Sequence, residues 1–272
     1  MFNFAFDSTD SIQATVVDPA QEAALMADFQ AELAEVAHQL ATMSEELYAP
    51  LSELLRAEIK QAQPLLRAAF VLTASIEPQE NERSEPANVQ VDPQFVRQKR
   101  IWLAAALETL TIALRIHKLL FRQQQNDYTV DKSLMGSVIL AGDYCFSRAA
   151  SLAARTDHPE VVTIFSRALM SISEGHLRQL HNLEQPPQAV GSDEEYELLS
   201  YGLRAATVFA KLNGPTQQEV LAVGEQFARQ LLLAQPIPSL LASSLSRIDL
   251  NLLPSYQQPH WLLLIRWLLL VL

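Results

Sequence analysis

Five side chains between positions 117 and 131 have types and spacings that could do chemistry: His117, Lys118, Arg122, Asp127 and Asp131. Lys118 and Arg122 are four apart and share one helix face, where two cations could hold an anion. The plainer reading is a pair of snorkelling side chains at a helix end. Asp127 and Asp131, also four apart, could offer oxygen ligands to a hard cation, but no third acid accompanies them. Two solvated acids in a polar loop are the simpler account. His117, on an otherwise apolar face, reads as a hydrogen-bonded core histidine. Glu174, His176 and His181 fall at i, i+2 and i+7 and do not share one helix face, which argues against a metal site there. No Gly-x-Ser-x-Gly, HExxH, Gly-rich phosphate loop or CxxC pair occurs.

The elements that must position these residues are helices. Leu25, Phe29, Leu33, Val36, Leu40 and Met43 recur at three- and four-residue spacing, which predicts one long amphipathic helix over about 18–47. Helix continues over 51–75, with Pro64 ending or kinking it. The stretch 76–93, with three prolines and many polar residues, is the clearest loop, and residues 1–17 are expected to be flexible. From Phe95 to about Gln124 the sequence is apolar nearly all round, which predicts a helix buried at the centre of a bundle. A second buried helix is expected from Ser133 to Ala154. Asp157 with Glu160, and Ser192 with Glu195, have the spacing of capping boxes, and Gly214-Pro215 stops one helix and starts the next. The sum is about eight to ten helices in one domain spanning 1–272, without an internal repeat.

Composition bounds the function. A chain of 272 residues that is 49% hydrophobic can bury a core without disulfides or metal, and only seven glycines favour long helices. A formal charge of −11 argues against a nucleic-acid partner. The lone Cys145, between Tyr144 and Phe146, reads as a core thiol and fits a reducing compartment. The first residues carry Asp7 and Asp10 and no basic segment, so they do not read as a targeting signal, and a cytoplasmic location is the expectation. Trp261 to Leu272 is apolar but includes Arg266 and falls short of the roughly 20 residues a transmembrane span needs.

The segment 137–180 resembles the centre of the trans-isoprenyl diphosphate synthase (polyprenyl synthetase) family. Leu140-Ala141-Gly142-Asp143-Tyr144 matches its A-I-L-A-G-D helix, and Ser173-Glu174-Gly175 its E-G-x-x-x-Q helix end. Lys60-Gln61-Ala62-Gln63-Pro64 stands in the place of the family's K-R-x-R-P motif, and LRAATVFA, VGEQFARQLLLAQ and LPSYQQPHWLLLIRWLL resemble its later helices. The resemblance implies an all-α, isoprenoid-synthase-type bundle around a central cavity, and a dimer.

In that family two aspartate-rich motifs hold magnesium ions on the allylic diphosphate, and the metal charge lets the diphosphate leave. Here the first motif aligns with His117-Lys118-Leu119-Leu120-Phe121-Arg122 and the second falls near Ala234-Gln235-Pro236, neither with a carboxylate. The resemblance therefore implies no magnesium unless Asp127 and Asp131 are relocated ligands. It leaves Lys60, Lys118 and Arg122 as candidates to bind a diphosphate without ionising it. Three functions stay open. The first is a non-catalytic partner or regulatory subunit in isoprenoid biosynthesis, as a homodimer or paired with a catalytic prenyl diphosphate synthase. The second is an isoprenoid- or lipid-binding module, and the third an active prenyltransferase with relocated ligands.

Overall fold

The computed structural model describes residues 18–62, 64–78, 92–124, 132–181, 190–233, 245 and 247–272. Nine α-helices lie among them: α1 (Pro19–Glu45), α2 (Leu51–Gln61), α3 (Leu66–Ala74), α4 (Pro93–Gln124), α5 (Lys132–Arg155), α6 (Pro159–His181), α7 (Val190–Phe209), α8 (Gly214–Leu233) and α9 (Gln258–Val271). A 3-10 turn, Leu250–Leu252, precedes α9, and no strand occurs among the described residues. The expected flexible segment 1–17 and most of the expected loop, residues 79–91, lie outside them.

Polar residues before prolines or glycine set several helix starts. Asp92 Oδ1 accepts from Gln94 N at 2.9 Å ahead of Pro93, and Asp18 Oδ1 accepts from Ala20 N at 3.4 Å ahead of Pro19. Asn213 Oδ1 caps α8 by accepting from Thr216 N at 3.0 Å. Pro64 lies between α2 and α3. The expected cap at Asp157 is not formed, because Pro159 takes the first helical position of α6 and leaves His158 as the cap. Asp157 instead adopts φ 55° and pairs with Lys99 at 3.5 Å. Ser192 likewise falls inside the first turn of α7.

α4 is the axis: it packs against α1, α2, α3, α5 and α7. From Ile101 to Leu114 it is buried except for Trp102, as its all-round apolar sequence requires. The short α3 is also central, touching α1, α4, α7, α8 and α9, with Ala68 through Ala74 all buried. Phe70 of α3 meets Phe227 of α8 and Trp261 of α9, ring centroids 5.3 to 6.2 Å apart, in a fully buried aromatic cluster. Burying each such ring stabilises the fold by about 1.5–3 kcal/mol.

α5 departs from expectation. Val138, Ala141, Cys145, Ala149 and Leu152 form its buried stripe, whereas Ile139, Leu140, Asp143, Ser147 and Ala150 are exposed. Within this chain α5 packs on α2, α4 and α6, so it buries one face and not its whole circumference. Burial pushes the Cys145 thiol up to about 12, as befits an inert core thiol.

Candidate functional site

The candidate site lies where α2, α3, α4 and α7 converge, and it begins with Glu108 in the middle of α4. Glu108 is fully buried, and its Oε1 accepts from Ala68 N at 2.9 Å, so it satisfies a free amide at the start of α3. Its Oε2 has no hydrogen-bond partner and lies 3.9 Å from Arg67 Nη1. Burial pushes the Glu108 carboxyl above its ordinary range, against the opposing pull of the Arg67 charge, the Ala68 and Arg67 amides and Arg115.

Around Glu108 the charged groups neutralise one another. Arg67 Nη2 lies 3.3 Å from Glu195 Oε1. Arg115 Nη2 lies 3.0 Å from the buried Glu58 Oε2 and donates to Gln61 Oε1 at 2.8 Å. Lys118 Nζ lies 2.7 Å from Oε2 of Glu194, which is also buried. Arg67, Arg115 and Lys118 thus face Glu58, Glu108, Glu194 and Glu195. Ion pairs drawn this far out of water persist because removing either partner strands the other.

His117 does something different. Its imidazole lies over Gly142 of α5: a Cβ built there would fall 2.2 Å from His117 Nε2. The same Nε2 is 3.5 Å from Asp143 Oδ1, and the ring lies 5.0 Å from that of Phe146. Gly142 is therefore a close-approach glycine, and His117 with Asp143 is a packing device between α4 and α5. Asp143 itself is largely exposed rather than enclosed.

The remaining candidates scatter. Lys60 is exposed in the last turn of α2. Arg122 belongs to α4, but its side chain lies outside what is described, as do those of His176 and His181 on α6. Asp127, Asp131 and the segment 234–236 also lie outside the described residues. Glu174 is exposed. Among the described residues no group of three or more His, Cys, Asp or Glu side chains could hold a metal ion. Magnesium needs several oxygen donors, and positions 117–122 offer an imidazole, an ammonium and a guanidinium, so the residues there do not fit it.

Elsewhere among the described residues, two close contacts stand out in the interior. Leu107 Cδ2 stands where a Cβ on Gly202 of α7 would be, at 2.2 Å, and the aromatic cluster of Phe70, Phe227 and Trp261 lies between α3, α8 and α9. Sequence reasoning missed Arg67, Arg115, Glu58, Glu108, Glu194 and Glu195. The available signal was a single acid, Glu108, within an otherwise apolar run, since a buried carboxylate requires a partner.

No family model matches the sequence, and no curated protein matches it. Solved structures do. The chain is similar to a polyprenyl synthase from Caulobacter crescentus CB15, a structure described as complexed with calcium and isoprenyl diphosphate. That match has a TM-score of 0.58 and 17% identity over 90% of this chain and 97% of that one. It is also similar to a decaprenyl diphosphate synthase from Rhodobacter capsulatus, with TM-score 0.54, 17% identity, and 90% and 84% of the two chains covered. A geranylgeranyl pyrophosphate synthase from Lactobacillus brevis gives TM-score 0.55, 15% identity, and 89% and 83% covered. The chain has the all-α fold of the trans-isoprenyl diphosphate synthases.

Proposed function

We propose that this chain is a non-catalytic relative of the prenyl diphosphate synthases that acts as a partner or regulatory subunit in isoprenoid biosynthesis. One observation carries the reading: His117 and Lys118, which open the stretch of α4 that the resemblance aligns with the first aspartate-rich motif, are committed to internal structure. His117 packs on Gly142 and Lys118 is paired with Glu194. Ionising an allylic diphosphate requires charge that develops with the leaving group, and metal ions held by carboxylates supply it in this family. A lysine already neutralised by a buried carboxylate supplies none.

A face suited to a partner supports the same reading. Leu140 on α5 and Met170 on α6 are 60% and 62% exposed, and Ile139 and Val162 join them on the same two helices. Large apolar side chains grouped on adjacent helices mark a protein-protein surface more often than chance exposure does. The occupant proposed is a second chain of this fold, either a copy or a catalytic synthase. The lipid-binding alternative draws no support from an interior occupied by Leu107, Phe70, Phe227 and Trp261.

The test is to titrate the purified chain into a bona fide synthase from the same genome while following rate and product length. An altered product length or rate, with co-elution of the two chains in gel filtration, is expected. Unchanged kinetics with separate elution would exclude the heteromeric role. Leu140→Asp with Met170→Asp is expected to abolish the effect while leaving the helical circular dichroism intact.

A further inference from the structure

The charged end of the bundle carries one more consequence. Arg67, Arg115 and Lys118 come together from α3 and α4, a set of cations with the chemistry to hold a polyanion. Each is already engaged. Glu58 holds Arg115 from α2, while α7 contributes Glu194 to Lys118 at 2.7 Å and Glu195 to Arg67 at 3.3 Å. Among the described side chains at this end, these three cations each face a carboxylate, which weakens their pull on an anion from solution. An incoming polyanion would have to compete with the buried Glu194 for Lys118, a costly exchange.

We infer that α7 holds this end of the bundle shut: Glu194 and Glu195 are built-in counter-ions, an autoinhibitory contact that withholds Lys118 and Arg67 from external polyanions. The two carboxylates are neighbours in the first turns of one helix, so a single displacement of that end of α7 releases both cations together. The inference shares the Lys118–Glu194 pair with the proposed function but not its partner subunit, so pyrophosphate binding tests it whether or not a second chain binds.

Calorimetric titration of the full chain with inorganic pyrophosphate, at low salt and without added metal, tests this. The unaltered protein is expected to bind weakly. Glu194→Gln/Glu195→Gln is expected to bind at least about tenfold more tightly, the effect of freeing one desolvated charge pair. Adding Lys118→Gln should reverse most of that gain. Removing the same charge at the exposed Glu160 and Glu219 should produce no gain. Where the double variant fails to fold, Glu195→Gln carries the test, because Glu195 is 46% exposed and its loss leaves the packing intact. Pyrophosphate binding equally tight in the unaltered chain and in the folded variants, or a gain that survives Lys118→Gln in full, would overturn the inference.

Discussion

His260 sits in the first turn of α9, where burial and the neighbouring Arg100 push its pKa down from 6.5 to about 4. The unfolded chain therefore takes up a proton at this residue below about pH 6.5 while the folded chain stays neutral to about pH 4. The sign is a loss of stability as pH falls through that window, with none above it, up to a ceiling of about 3 kcal/mol. Urea unfolding at pH 7 and pH 4.5 should show a decline that is smaller in His260→Gln; parallel declines in both proteins would remove His260 as the cause. Gly142 gives a second residue-scale prediction. Gly142→Ala gains up to about 1 kcal/mol of helix propensity but drives a methyl into the His117 ring, and overpacking costs about 1–3 kcal/mol. A net loss is expected by thermal unfolding, and His117→Ala/Gly142→Ala should lose less than the sum of the two single changes. The close packing at Gly142 was not legible in the sequence. The glycine is visible there, but the ring it admits comes from another helix.

At the scale of elements, Arg100 ties α4 to α1 and to the end of α3. Its guanidinium donates to both Glu32 oxygens, at 3.2 and 3.1 Å, to Leu72 O at 2.8 Å and to Ser75 Oγ at 3.1 Å. Arg100→Met leaves Glu32 buried without its closest cation and is expected to cost about 3–5 kcal/mol in urea unfolding. Arg100→Met/Glu32→Leu should recover most of that loss; a double variant no more stable than the single would show that the clasp gives more than charge balance. A different tie joins α5 to Glu46, the residue just past the end of α1: Tyr144 donates its hydroxyl to Glu46 Oε2 at 2.8 Å and Arg148 pairs with Glu46 Oε1 at 3.2 Å. Periodicity made the helices themselves legible, because an apolar stripe must find a core and an all-round apolar run must lie at the centre. It overstated α5. Its many small and apolar residues occupy both a buried face and an exposed face, and spacing alone does not separate the two.

For the whole molecule, the fold was legible from the centre outward. Leu140 to Tyr144 and Ser173 to Gly175 carried the likeness, and the arrangement of nine helices among the described residues agrees with it. The candidate site was legible only in part. The resemblance implies which aspartates are missing, but the sequence does not tell that Lys118 is matched by Glu194 or that Glu108 supports α3, since those pairings join separate helices. Among the described residues no helix is long and apolar enough to cross a membrane. The central claim is the proposal that α4, with His117 and Lys118 committed to internal contacts, does not ionise an allylic diphosphate. The most direct measurement incubates the purified chain alone with magnesium, isopentenyl diphosphate and radiolabelled allylic diphosphates of several lengths. The account predicts no elongated product above the protein-free control; steady turnover that scales with the amount of this chain would contradict it and direct attention to Asp127 and Asp131 as metal ligands.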